Sequence, residues 1–339
     1  MFRNRLLYIA LSGAVSAVLL WFLFAKIDFS DLALAFSRLF VPALAVYAAV
    51  ALLGAWLRAW RYKWLLMPQP ISWGNILLVT FIRNSLIDLL PARLGSLSYI
   101  YILNKRLGFR FETATSSFVL AFVLDFLTIS PFLIVSLLAV GVGTASISTP
   151  LLLAIAAAFL LLVGIVYWKI TPIAGLVLGV FRRLLRAAGI EEKRSSRIVI
   201  AKFELTIESL EGIRQRGRSI PIFILSLLIR LAKYISLYAL FYAFLKGQGY
   251  TLQQLSFWVF ILGLSGAEMT SILPIKGLAG FGTWETGWAL TFKLLGFDPK
   301  MAVVSGIGVH FLTNFFEYSL GLASILILVW PYLWKRREK

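Results

Sequence analysis

The chain has 339 residues, 60% hydrophobic and only 14% charged, with 33 Lys and Arg against 15 Asp and Glu for a net charge of +18. A soluble domain carries about 25% charged residues, and here apolar runs long enough to cross ~30 Å of hydrocarbon recur along the whole chain. The absence of Cys and the presence of one His exclude disulfides, thiol catalysis, thiolate metal sites and multi-His metal sites, so neither metal nor cofactor is expected.

Met1-Phe2-Arg3-Asn4-Arg5 precedes an apolar stretch reaching Ala25. It is too long for a signal peptide and has no small-x-small cleavage pattern before Lys26, so it reads as a retained first span, about 6–25. Segment 27–38 reads as a short interfacial helix. The second span, about 40–62, ends in Arg58, Arg61 and Lys63 beside Trp56, Trp60 and Trp64, the pattern of a cytoplasmic interface anchor. Segment 72–107 is apolar but broken at Leu89-Leu90-Pro91-Ala92-Arg93-Leu94-Gly95-Ser96. Basic residues flank it on both sides (Lys63, then Lys105, Arg106 and Arg110), which predicts a re-entrant hairpin entering and leaving from the cytoplasm. Arg83 within it is expected to snorkel to the interface.

Two spans follow, about 113–140 and 150–169, joined by an uncharged external loop from Gly141 to Thr149. Segment 182–218 is basic, amphipathic and cytoplasmic, with Arg182, Arg183, Arg186, Arg194, Arg197, Arg214, Arg216 and Arg218. A span at about 220–245 leads outward. Segment 252–295 is broken at Leu273-Pro274-Ile275-Lys276-Gly277-Leu278-Ala279-Gly280-Phe281-Gly282, and the last span, about 300–331, ends in Trp334-Lys335-Arg336-Arg337. Both termini are then cytoplasmic, and the second broken segment must open to the outside. The predicted fold is an all-α polytopic membrane protein, one transmembrane domain over 1–339, with six full transmembrane helices and two re-entrant broken-helix hairpins. The alternative, in which Pro91 and Pro274 merely kink spanning helices, breaks the charge parity.

The two broken segments match one another. Leu90-Pro91 corresponds to Leu273-Pro274, and Leu107-Gly108-Phe109 to Leu295-Gly296-Phe297; six residues beyond each Gly, Ala114 matches Ala302. The offset grows from 183 at the prolines to 188 at Leu-Gly-Phe, an insertion of five residues in the second linker. Because the hairpins open to opposite sides, segments 40–140 and 219–331 form an inverted repeat, with Pro91, Gly95, Pro274, Gly277, Gly280 and Gly282 marking the breaks. Inverted repeats with helices broken near the midplane characterise secondary carriers, and non-helical backbone survives at that depth only when buried or lining a cavity.

These two linker motifs, with the basic-tryptophan end of the second span, resemble the transmembrane region of the lysylphosphatidylglycerol synthase family over roughly 5–330. That family comprises flippase-like membrane proteins found alone or fused to an aminoacyl-transferase domain. Pro91, Arg93 and Gly95 match its Pro-x-Arg-x-Gly-Glu motif, with Ser96 in place of the acid. Pro274, Gly280, Gly282 and Glu285 match its second motif, while Lys276 and Leu278 replace a common Ser-Pro-Gly run. The chain ends after its last helix, so the stand-alone form without lysine transfer is expected.

Arg230 and Lys233 lie near the middle of an apolar span, where each charge costs ~2.5–3.5 kcal/mol on insertion scales. At spacing i, i+3 they share a face. With Arg93 they are candidates to grip the phosphate of a lipid head group, Arg through bidentate bonds and Lys as a point charge, and Lys276 in the second break joins them as a substrate-binding candidate. Asp88, Asp125, Glu268 and Glu285 are candidate charge partners, and neutralisation of such acids alone is the structural alternative. His310, with Asn314 and Glu317 on one stripe, could relay protons or serve interhelical hydrogen bonding. The Gly277–Gly282 run is a weak phosphate-loop signal because no strand precedes it.

The expected function is a carrier or flippase for an anionic phospholipid or modified phospholipid, with the resemblance supplying the lipid and no enzyme activity expected. Alternatives are a carrier of polyprenyl-phosphate or glycolipid intermediates, a membrane-embedded transferase, and a scaffold for a synthase. Expected partners are membrane lipids with anionic head groups, with a homodimer and a lipid-modifying enzyme compatible; nucleic acid is not, since no basic face separates from the spans. The expected location is the cell membrane.

Overall fold

The computed structural model of the chain describes residues 2–25, 27–89, 95–140, 149–270 and 277–335. Pro91, Arg93, Pro274 and Lys276 lie outside the described residues, as does the side chain of Asp88. The described residues are mostly helical, with no strand among them. In chain order the helices are α1 (Phe2–Phe24), α2 (Phe29–Ser37), α3 (Val41–Leu65), α4 (Trp73–Leu89), α5 (Ser98–Lys105), α6 (Phe111–Leu127), α7 (Ile129–Val140), α8 (Thr149–Trp168), α9 (Ile170–Ala187), α10 (Arg194–Gln215), α11 (Ser219–Lys246), α12 (Phe257–Thr270), α13 (Thr283–Leu294) and α14 (Pro299–Lys335).

Local sequence sets many of the ends. Asp31 in the first turn of α2 accepts the Asp28 N–H at 2.9 Å, and Ser72 Oγ accepts the Asn75 N–H at 3.2 Å ahead of α4. Asp298 Oδ1 likewise accepts the Met301 N–H at 2.9 Å, with Pro299 in the first helical position. Each satisfies a donor that the first turn leaves without an intrahelical partner. The repeated Leu-Gly-Phe has one structural role in both places. Gly108 (φ +71°) and Gly296 (φ +87°) end α5 and α13 in the left-handed conformation, and the Phe109 and Phe297 N–H groups turn back onto helix carbonyls at 2.9 and 3.0 Å.

Four helical stretches are long and apolar enough to cross a membrane: Val41–Leu65, Phe111–Val140 (α6 continuing into α7), Ser219–Lys246 and Pro299–Leu328. A fifth is counted if α8 and α9 form one broken span, and Gly13–Phe24 of α1 is a shorter apolar helix. The predicted six spans are therefore not all distinguished by length and composition. The chain turns by 76° between α8 and α9, and α9 already begins at Ile170, so the amphipathic region starts twelve residues before the predicted 182. Ile173, Leu176, Val177, Val180 and Leu184 form its exposed apolar side, while Leu178 is buried and Arg182 on the other side pairs with Glu204 of α10.

The succession long helix, helix, break, helix, long helix occurs twice, as α3–α6 and as α11–α14. α3 and α11 pack together along much of their lengths, α12 forms a hairpin with α13, and the two broken arms lean across, α4 on α14 and α12 on α7. One apolar core gathers Tyr234, Phe241, Phe244, Phe260, Trp288 and Phe292 from α11–α13, and a second gathers Tyr62, Tyr99, Leu103, Leu120 and Leu124 from α3–α6.

Candidate functional site: a charged cavity among the helices

Helices from both halves enclose a cavity of about 610 Å³. Apolar residues such as Phe122, Phe126, Leu133, Leu137 and Met269 form much of its wall. Into it also project Arg58 of α3, Arg83 of α4, Asp125 of α6, Arg230 and Lys233 of α11, Glu268 of α12 and Glu317 of α14. Arg61, fully buried, stands directly behind Asp125, its Nη1 2.8 Å from Asp125 Oδ1 and 3.0 Å from Ser226 Oγ. Counting Arg61, five cations meet three carboxylates among the described residues, a net of +2.

Arg230 and Lys233 share one carboxylate. Glu268 Oε1 lies 3.4 Å from Arg230 Nη1 and 2.5 Å from Lys233 Nζ, and Arg230 also donates through Nη2 to the Asp125 carbonyl. Of the candidate partners, Glu268 is thus the side chain these two cations meet, and Asp125 offers Arg230 its backbone while its carboxylate serves Arg61. Such pairing offsets the cost of holding charge at depth.

Arg58, Arg61 and Arg83 depart from the expectation of interface residues. Arg61 is 0% exposed and Arg83 4%, and Arg58 and Arg83 face the cavity. The cause is helical phase. Arg61 lies one turn beyond the buried Leu57 and beside the buried Tyr62, whereas the tryptophans at 56, 60 and 64 follow one another along a neighbouring strip of the helix, ring against ring. Lys63 does remain at the end of the helix, where it reaches the Ile71 carbonyl at 2.5 Å and the Trp73 ring at 5.2 Å. The sequence carried one overlooked signal: Arg58 and Arg61 have the same i, i+3 spacing as Arg230 and Lys233.

Glu285 does not join the Arg230–Lys233 pair. One oxygen, Oε2, accepts the Gly282 N–H at 2.7 Å, capping α13, and Oε1 lies 2.6 Å from His310 Nδ1. Asn314 Nδ2 lies 3.1 Å from the other ring nitrogen, Nε2. A neutral imidazole protonated on Nδ1 satisfies both contacts, donating to the carboxylate and accepting from the amide. The ring is flanked by Phe281 and Trp284, each 4.7 Å away between centroids. His310 therefore pairs with Glu285 and Asn314, while Glu317 lies elsewhere on the cavity wall.

The loop ahead of α13 holds the second set of glycines. Gly280 and Gly282 have φ of +80° and +88°, and Ala279 just before them is also left-handed at +51°. Gly277 is packed so that an added Cβ would lie 1.8 Å from the Phe281 carbonyl oxygen. Ser16 of α1 donates to that same carbonyl at 2.9 Å. At the first break, an added Cβ on Gly95 would lie 1.5 Å from the Leu86 carbonyl oxygen, so the chain returns tightly against the end of α4.

The family model described as the lysylphosphatidylglycerol synthase TM region matches residues 9–321, from within α1 to within α14. The chain belongs to this family. Among curated proteins, none matches the chain. The lysylphosphatidylglycerol synthase TM region match encloses every charged residue of the cavity and both breaks, so the site lies wholly within the family's membrane domain and the chain is a multi-pass membrane protein.

Proposed function

We propose that this protein is a flippase-like carrier that moves an anionic lipid between the leaflets of the cell membrane. The observation that carries the reading is the net-positive cavity, walled by apolar side chains and lined from α3, α4, α6, α11, α12 and α14. A cluster of cations among spanning helices is costly and marks a substrate path. An anionic head group would compensate the excess while apolar walls accept the acyl chains. Membership of the lysylphosphatidylglycerol synthase TM region supports a membrane-lipid substrate.

The repeated element order supports an inverted repeat, with the breaks after α4 and α12 as re-entrant hairpins and movement of one half against the other as the transport step. The excess of Lys and Arg in the segments after α9 and α10 supports a cytoplasmic placement for them and for both termini.

The test is transbilayer movement of fluorescent phosphatidylglycerol, against phosphatidylcholine, in phosphatidylcholine vesicles reconstituted with the purified protein. Selective movement of the anionic lipid is expected, and its loss in Arg230→Ala with Lys233→Ala. Absence of movement by the native protein overturns the reading. Mass spectrometry of co-purifying lipids separates a phospholipid from a polyprenyl-phosphate substrate.

A further inference from the structure

Arg230 and Lys233 are already served by Glu268, and Arg61 by Asp125. Arg58 and Arg83 are not served in this way. Both line the cavity, and neither has a carboxylate within ion-pair distance among the described residues. The Nε atoms of both are buried without a hydrogen-bond partner. The described partner of Arg83 is the Asn84 amide oxygen, 3.2 Å from Nη1. The two guanidinium groups lie within electrostatic range of each other and of Asp125, whose Oδ1 is bonded to Arg61. Three arginines on two helices thus surround one carboxylate.

Such a grouping is unfavourable by itself. Like charges repel more strongly away from bulk water, and a buried unpaired cation is disfavoured further. An anion between the two forks would relieve both costs. The planar donor fork of Arg suits a tetrahedral phosphate oxyanion, which two guanidinium groups can hold from different directions.

We infer that Arg58 and Arg83 form the anion seat of the cavity, and that its ligand is a phosphate group, carried on a lipid head group or free in solution. The inference rests on the carrier reading only for the lipid source; the seat itself follows from the unpaired arginines. Arg230, Lys233 and Glu268 then form a neighbouring, internally compensated cluster outside the primary seat.

The experiment uses the full-length protein in a neutral detergent and follows its unfolding temperature while titrating inorganic phosphate or dihexanoyl phosphatidylglycerol. In phosphate-free buffer Arg83→Gln and Arg58→Gln are expected to unfold at or above the native temperature, because each removes a repulsion. Both ligands are expected to raise the native temperature, with affinity reduced at least tenfold, about 1.4 kcal/mol, in either Gln variant. Arg83→Lys should bind with intermediate affinity, keeping the charge and losing the fork. A response to the lipid at concentrations where phosphate has none assigns the seat to a head group; equal responses assign it to free phosphate. Unchanged affinity in the Gln variants, a native protein that responds to neither ligand, or Gln variants that unfold well below it in phosphate-free buffer, overturns the seat. Native protein that binds through these arginines but moves no lipid in vesicles leaves the seat standing and removes the carrier reading. Undiminished lipid movement by both Gln variants, with unchanged binding, does the reverse.

Discussion

His310 Nδ1 lies 2.6 Å from Glu285 Oε1, and the other oxygen of that fully buried carboxylate holds the Gly282 N–H at 2.7 Å. This one side chain fastens the loop after the second break to α14 and caps α13 at the same time. Asn314 holds the other ring nitrogen at 3.1 Å, so the loop's position depends on a chain of three polar side chains on two helices.

Removing the ring should therefore loosen the loop. His310→Ala leaves a buried carboxylate short of one partner, with an expected loss of about 1.5–3 kcal/mol for a hydrogen bond to a charged group. His310→Gln, which can still donate to Glu285, should recover part of it. Unfolding temperatures of the two variants in detergent check the order; an alanine variant as stable as the native protein would contradict it.

Asp125, at the cavity wall, and the buried Arg61 form a pair whose members should not be equally costly to remove. Arg61→Ala strands one carboxylate that Arg58 and Arg83 still compensate. Asp125→Ala strands three arginines around no carboxylate. Breaking a buried pair costs about 3–5 kcal/mol, and the aspartate variant should lie at the upper end. In a double-mutant cycle, equal losses would show that the neighbouring arginines do not act on Asp125.

Gly95 leaves no room for a side chain, since an added Cβ would lie 1.5 Å from the backbone oxygen of Leu86. Backbone atoms cannot move aside as a flexible side chain can, so Gly95→Ala is expected to cost at least about 1–3 kcal/mol. Gly74, where an added Cβ meets nothing within 4 Å, is the control: Gly74→Ala should leave thermal unfolding and monodispersity unchanged.

α9 should lie in the head-group layer with its apolar side toward lipid. Leu176, Val180 and Leu184 are 70%, 47% and 64% exposed on one face, continuous past the 76° turn with exposed Leu161, Ile165 and Trp168 of α8. On the other side Arg186 hydrogen-bonds Glu191 and holds its carboxyl below the usual range. Because the chain contains no Cys, single cysteines can be labelled cleanly. In anionic nanodiscs a polarity-sensitive dye should emit as in an apolar medium from positions 176 and 180, and as in water from 186. Water-like emission from 176 would remove α9 from the interface.

The membrane class, the helical content and the left-handed glycine that ends α5 and α13 were legible in the sequence, because they depend on local quantities: run length, and the Gly of Leu-Gly-Phe. Arg230 and Lys233 stood out for the same reason, as charges in the middle of an apolar run. Which charge meets which could not be read. Arg58 and Arg61 sit near a helix end beside tryptophans, a pattern that by sequence spells an interface anchor. Only the packing of α3 against α11 and α6 turns that face inward and supplies Asp125 as a partner. Likewise Glu285 carries the same charge as Glu268, and it is the fold that gives one to His310 and the other to Arg230 and Lys233. Pairing at depth is decided by distances between helices far apart in sequence, and those distances exist only once the helices have packed.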